Sequence, residues 1–230
     1  MQGPFWWRTL LKLPGRSMQQ DRARLLRRLA GRFPARVVDA IAQTPREDMV
    51  PPEYRDLAYR DGPLRIGHGQ TISQPTMVAI MTEAIDPQPW ERVLEVGAGS
   101  GYQAAVLARL AAHVVTVERV PELAQLAARQ LDALGYADRV TVREAGGILG
   151  CPEEAPFDAI IVSAAAPSPP RALLDQLTPG GRLLVPVGSR KEQRLLLLTR
   201  TPEGHTTRFC GECRFVPLIG PGGWPEEDPA

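Results

Sequence analysis

The sequence carries almost no net charge, few cysteines and no long apolar run. Each shortage removes a class of protein. Twenty-seven Lys and Arg face 26 Asp and Glu, for a formal net charge of +1 at pH 7. A chain so balanced has no global pull toward nucleic acid or an anionic membrane. No apolar stretch approaches the ~20 residues that span a bilayer as a helix. The most apolar segment, Phe5-Trp6-Trp7-Arg8-Thr9-Leu10-Leu11-Lys12-Leu13, is cut by two cations, and no small-residue cleavage site follows it. It reads as a leader that docks or trails, not as a signal peptide. Three cysteines, Cys151, Cys210 and Cys213, are an odd number and too few for a disulfide framework. They point to a reducing, cytoplasmic compartment. Cys210 and Cys213 have the spacing of half a zinc knuckle, but a structural zinc needs four ligands. Nothing in the sequence puts Cys151 or His205 beside them, so no metal is expected. Trp6, Trp7, Trp90 and Trp224 form no spaced platform for stacking bases, and Trp90 is expected to pack ahead of the first strand of the sheet. There is no internal repeat.

What is present is organised around residues 93–102, Val-Leu-Glu-Val-Gly-Ala-Gly-Ser-Gly-Tyr. A short apolar run ends in glycines at alternate positions, Gly97, Gly99 and Gly101, and a helical pattern follows at once. Strand, tight turn and helix are expected in that order. Glycine admits positive φ and lets a ligand approach bare backbone. The N–H groups at the start of the helix are expected to face that ligand. A second apolar strand, 113–117, ends in Glu118, which can accept hydrogen bonds from both hydroxyls of a ribose. The dinucleotide fingerprint has two residues between its second and third glycines; here only Ser100 intervenes. The spacing E-x-G-x-G-x-G, with Glu95 in front, is the form used by methyltransferases that take S-adenosylmethionine.

The 230 residues are 43% hydrophobic, enough for one large domain. Leucines at 25, 26 and 29 mark one face of a helix over 21–29, with Arg22, Arg24, Arg27 and Arg28 on its solvated face. Val37, Val38 and Ile41 mark a second helix over 36–42. Pro45, Pro51 and Pro52 predict an extended connector. Residues 61–75 hold several glycines and hydroxyl or amide side chains and read as a shaped loop. Ser73 precedes a helical run through Met77, Val78, Ile80, Met81 and Ile85. With Pro75 in the first turn, it reads as an N-cap, a role compatible with catalysis at the positive helix end. Strands are expected at 92–97, 113–118, 139–144, 157–164, 182–187 and 193–200, with helices at about 101–111, 121–134 and 170–177. Alternating strand and helix predicts an α/β fold, a doubly wound and mostly parallel sheet. The runs at either side of Pro202-Glu203-Gly204 lack a helix between them and predict an antiparallel hairpin.

These residues resemble the protein-L-isoaspartate O-methyltransferase family over nearly all of 30–224. The resemblance rests on blocks in the right order. They are 44–51 (Thr-Pro-Arg-Glu-Asp-Met-Val-Pro), 66–75 (Ile-Gly-His-Gly-Gln-Thr-Ile-Ser-Gln-Pro), the loop 94–102, 155–167 (Ala-Pro-Phe-Asp-Ala-Ile-Ile-Val, then Ala-Ala-Ala-Pro), 177–188 and 214–218 (Arg-Phe-Val-Pro-Leu). The loop says only methyltransferase; the Gly-Gln-Thr-Ile-Ser block makes the narrower family specific. The resemblance implies a Rossmann-like sheet of seven strands with the last hairpin added antiparallel. It implies methyl transfer from S-adenosylmethionine to the α-carboxylate of L-isoaspartyl residues in damaged peptides and proteins, with later collapse of the ester to a succinimide. It implies Ser73 and Thr71 as catalytic residues. It implies Gln70, Glu95, Gly97, Gly99, Gly101, Glu118, Gly146 and Gly147 as cofactor-binding residues. The expected organisation is a leader over 1–20 and one methyltransferase domain over 21–230. That domain is divided into a helical segment (21–60), a substrate loop and helix (61–90) and the cofactor-binding sheet core (91–230). A monomer acting on peptides, without nucleic acid or membrane, is the expected state.

One position departs from the family pattern. Where the family has Gly-Asp-Gly after the third strand of the sheet, with the aspartate on the adenine amino group, this chain has Ala145-Gly146-Gly147. Glu144 substitutes only if the loop takes a different path; a backbone carbonyl or a water are the other partners. His68 reads as a loop hydrogen-bonding residue rather than a base. Two other functions fit the same cofactor half: a relative that methylates an aspartate in a biosynthetic peptide, and a cofactor-binding protein without catalysis. The Ser73 block speaks against the second.

Overall fold

The computed structural model describes residues 17–226. The aromatic leader lies outside them. Helix α1, Met18–Ala30, opens with a capping box: the Gln20 N–H donates to Ser17 Oγ at 3.3 Å and the Ser17 N–H to Gln20 Oε1 at 3.1 Å. Residues 18–20, expected to belong to the leader, are therefore helix, because Ser-x-x-Gln satisfies two donors that would otherwise be orphaned. Leu25 and Leu29 are buried, and Arg24 and Arg27 are exposed. Arg22 is not purely solvated: its guanidinium donates to the Ala42 carbonyl at 2.6 Å and ties α1 to helix α2, Ala35–Ala42. The proline-rich connector is not extended. It forms two 3-10 turns, Arg46–Met49 and Pro52–Leu57, with Pro45 and Pro51 just outside and Pro52 at the first position, where a missing N–H costs nothing.

The shaped loop is a small antiparallel ribbon of β1, Leu64–Gly67, and β2, Gln70–Ile72. Its turn runs through positive φ at Gly67, His68 and Gly69 (93°, 50° and 71°). Helix α3, Pro75–Ile85, follows with Gln74 at the N-cap and no cap bond from a side chain of its own. Ser73 therefore does not cap this helix. The cap comes from across the chain: Asp61 Oδ1 accepts the Thr76 N–H at 2.9 Å and Oδ2 accepts the Thr76 hydroxyl at 2.8 Å. At the other end of α3, the Arg182 guanidinium donates to the Ile85 carbonyl at 2.8 Å while pairing with Glu91 at 2.6 and 2.9 Å. Both ends of α3 are pinned to the body of the fold. The same ion pair draws Glu91 inward, and the neighbouring Trp90, expected to pack, is 74% exposed.

The main sheet contains β3 (Arg92–Val96), β4 (His113–Glu118), β5 (Val140–Glu144), β6 (Phe157–Val162), β7 (Leu177–Gly188), β8 (Gln193–Thr201) and β9 (Gly204–Cys213). Their order is β5-β4-β3-β6-β7-β8-β9. The first five are parallel; β8 pairs antiparallel with β7, and β9 antiparallel with β8 with a break in register at Leu195 and Leu196. Helices α4 (Tyr102–Ala108) and α5 (Pro121–Ala133) cross over in the β3-β4-β5 half. In β3, Val93 packs on one face and Leu94 and Val96 on the other, so the strand is buried on both sides. The two faces are not covered alike. Among the described residues, helices α1 to α5 fill one; the other has only α6, Arg171–Leu174, shorter than the helix expected over 170–177. The β5-β6 connection carries a 3-10 turn, Pro152–Glu154, rather than a helix. Winding reverses between β3 and β6, and a crevice opens beyond their carboxyl ends, where ligands of such sheets sit.

Candidate active site

A cavity of about 180 Å³ occupies that crevice. Gln70, Thr71, Ser73, Glu95, Gly97, Gly99, Glu118 and Gly146 all line it. The β1-β2 ribbon and the start of α3 form one wall; the tips of β3, β4 and β6 form the floor.

The glycine loop is shaped for close approach, and its donors are mostly spent. The N–H groups of Gly97 and Ala98 donate to the Val117 carbonyl at 2.8 and 3.2 Å, and that of Gly101 to Ala98 at 2.7 Å. The Gly99 N–H donates to Glu118 Oε2 at 2.9 Å. Among the helix-start N–H groups expected to face a ligand, that of Gly101 is instead consumed by the turn after β3. Gly97 and Gly99 hold φ of +95° and +55°. Gly101, expected to bind cofactor, does not line the cavity. It starts α4 at φ +81°, and a Cβ there would sit 3.1 Å from Leu131 Cδ1. The positive φ favours glycine there, and the close approach of α5 through Leu131 adds to it. Gly147 also lies off the cavity wall.

Glu118 accepts one backbone N–H on each oxygen, from Gly99 and from Val120 at 3.0 Å. Each carboxylate oxygen keeps a lone pair for a further donor. Glu95 is fully buried at the base of the loop. It accepts the Thr116 hydroxyl at 2.7 Å and the Ser163 hydroxyl at 3.4 Å. Burial pushes its carboxyl up to about 8, against the pull of those two hydrogen bonds, and the nearby Glu118 adds to the rise.

Ser73 is half-buried and Thr71 exposed on the cavity wall. Because Asp61 supplies the cap, the Ser73 hydroxyl is not spent on α3. His68 sits exposed at the ribbon tip, away from the cavity, where its carbonyl accepts the Gln70 amide at 3.3 Å. Glu144 lies on the exposed end of β5 and does not line the cavity. A Cβ on Gly146 would meet nothing within 4 Å.

The C-terminal segment is a wall that sequence reasoning did not place in the site. Val216, Pro217 and Leu218 line the cavity. They are laid against the tip of β6 by Ala165 N–H to the Val216 carbonyl and Leu218 N–H to the Ala165 carbonyl, both 2.8 Å. Gln193 on β8 clamps the approach: its side chain accepts the Phe215 N–H at 2.6 Å and donates to the Phe215 carbonyl at 3.2 Å. The block at 214–218 was the available signal. Ile148, 62% exposed, is an uncovered apolar side chain on the rim. Tyr102, beneath the cavity, stacks its ring 5.0 Å from the buried Arg46 guanidinium.

A parallel sheet with a glycine loop after its first strand, and on the next an acidic tip whose oxygens each keep a lone pair to spare, defines a Rossmann-like methyltransferase. The chain matches the family described as protein-L-isoaspartate(D-aspartate) O-methyltransferase over residues 23–222, and it belongs to that family. Among its relatives, the protein-L-isoaspartate O-methyltransferase of Staphylothermus marinus is 54% identical over 198 residues, 82% of this chain and 88% of the relative. That of Hyperthermus butylicus is 50% identical over 222 residues, 90% and 92% of the two chains. A solved protein-L-isoaspartate O-methyltransferase superposes with a TM-score of 0.76 at 29% identity, covering 85% of this chain and 65% of that one. A Plasmodium falciparum protein described as the same enzyme, solved with S-adenosyl-L-homocysteine, gives 0.72 at 25% identity, covering 88% and 98%.

Proposed function

We propose that this chain transfers the methyl group of S-adenosylmethionine to the α-carboxylate of L-isoaspartyl residues in damaged peptides and proteins. The ester then closes to a succinimide and reopens in part to aspartate. The observation that carries this reading is the Ser73 hydroxyl, relieved of capping by Asp61 and placed on the same cavity as the glycine loop and Glu118.

The residues present suit the cofactor. Gly97 and Gly99 offer bare backbone, Glu118 has lone pairs for two ribose hydroxyls, and exposed Ile148 offers an apolar face for a base. When bound, S-adenosylmethionine supplies an activated methyl group on a sulfonium leaving group. The acceptor carboxylate is already a nucleophile at neutral pH, so no general base is needed, and His68 stands outside the cavity. What this chain's residues do is orient and dry. Ser73 and Thr71 donate hydrogen bonds that align the carboxylate, and the apolar wall of Val78, Val216, Pro217 and Leu218 excludes water. Alignment and desolvation together account for several kcal/mol of a barrier.

Damaged peptides are the partners under this reading, and the chain acts as a cytoplasmic monomer without nucleic acid or membrane. Among the described residues, no helix is long and apolar enough to cross a membrane. The test is repair itself. A synthetic isoaspartyl peptide cycled with the protein and S-adenosylmethionine is expected to yield the aspartyl peptide by chromatography. An isoaspartyl peptide left unconverted refutes the reading.

A further inference from the structure

The chain contains no asparagine, and of its 11 aspartates only Asp61 is followed by glycine. Asparagine is the faster source of isoaspartate, and Asp-Gly is the most exposed of the slower ones, since glycine has no side chain to shield its nitrogen. The route is simple. The Gly62 nitrogen attacks Asp61 Cγ and an N–C bond forms. One carboxyl oxygen leaves as water, carrying the amide proton and the carboxyl proton. Water then opens the succinimide at the main-chain carbonyl, and the backbone is left running through the former side chain.

Asp61 is the residue that caps α3. Both its oxygens are held, Oδ1 by the Thr76 N–H at 2.9 Å and Oδ2 by the Thr76 hydroxyl at 2.8 Å. Arg28 Nη2 pairs with Oδ2 at 2.8 Å and also donates to the Thr76 hydroxyl oxygen at 3.3 Å. The attacking group is engaged as well: the Gly62 N–H donates to the Arg60 carbonyl at 2.8 Å. Cyclisation has to turn the carboxyl off Thr76 and Arg28 and lift the Gly62 nitrogen from its acceptor.

We infer that Asp61-Gly62 is this chain's own isomerisation-prone site, and that the contacts capping α3 also lock it against conversion to isoaspartate. The lock and the active site share parts. Isomerisation at Asp61 inserts a backbone carbon and withdraws the acceptor from Thr76, three residues from Ser73. Damage there uncaps α3 and shifts the wall that carries the substrate hydroxyls.

The experiment ages the full chain without any methyl donor, at one temperature below its melting transition, and reads isoaspartate at residue 61 by fragmentation mass spectrometry. Wild type, Thr76→Val, Arg28→Gln and a synthetic peptide of residues 59–65 are compared. Wild type is expected to convert at least about tenfold more slowly than the peptide, the factor of one hydrogen bond to a charged group. Thr76→Val is expected to recover much of the peptide's rate. Arg28 is half-exposed, so Arg28→Gln tests the lock without threatening the fold and is expected to convert faster than wild type. Wild type converting at the peptide's rate, or both variants converting as slowly as wild type, overturns the inference. With no donor present, the result stands apart from the proposed activity.

Discussion

Glu118 Oε2 accepts the Gly99 N–H at 2.9 Å. The acid at the tip of β4 thus holds the glycine loop after β3 in its open shape while facing the cavity itself. Glu118→Ala should lose two things at once: the hydroxyl acceptors offered to a ribose and the loop's tether. Affinity for S-adenosylhomocysteine should fall by ~1.5–3 kcal/mol, the value of hydrogen bonds to a charged group. Calorimetry measures it. An unchanged affinity, or binding of NADH in place of S-adenosylhomocysteine, contradicts the cofactor assignment.

Ser73 and Asp61 separate chemistry from capping. Ser73→Ala should lower turnover on isoaspartyl peptide and leave the melting temperature and cofactor affinity nearly unchanged. Asp61→Ala should cost ~0.5–2 kcal/mol of stability through the lost cap. Melts run beside kinetics check both. A Ser73→Ala protein with normal turnover removes Ser73 from the mechanism.

The family resemblance implies an aspartate on the adenine amino group where this chain has Gly146, and a Cβ there meets nothing within 4 Å. Gly146→Asp should therefore be tolerated and should tighten S-adenosylmethionine binding, by up to ~1.5 kcal/mol if the new carboxylate meets the amino group. Glu144, off the cavity, should be silent when changed to Gln. Loss of binding in Glu144→Gln with no gain in Gly146→Asp would show that the loop aligns differently.

Glu95 sets a pH dependence. Burial pushes its carboxyl from an ordinary 4.5 up to about 8 in the fold. Between those values the native state keeps a proton that the unfolded chain has released, so this group's contribution to stability falls as pH rises through that window. Glu95→Gln should remove the slope, gaining on wild type as pH increases from about 5 to 8. Parallel stability curves for the two proteins over that range would contradict it.

The parallel sheet was legible because its signals are local. Val93-Leu94-Glu95-Val96 followed by alternating glycines can only be strand and tight turn, and each crossover helix begins where a strand tip ends. Residues 202–204 announced the β8-β9 hairpin in the same way. What was not legible depends on partners far apart in the chain. Ser73 looked like a cap because it stands beside α3; Asp61, 15 residues from Thr76, holds the position through the β1-β2 ribbon. Gly101 looked like a ligand contact by spacing, but α5 packs on it. The C-terminal wall depends on Gln193 gripping Phe215, a contact invisible to periodicity. At the helix start, the Gly101 N–H was expected to face a ligand, and the turn carries it to the Ala98 carbonyl instead.

The most direct measurement is transfer of labelled methyl from S-adenosylmethionine to two peptides that differ only in having isoaspartate or aspartate at one position. The isoaspartyl peptide should take up label as a base-labile ester, and the aspartyl peptide should take up almost none. Equal labelling of both, or label in neither, would contradict the central claim.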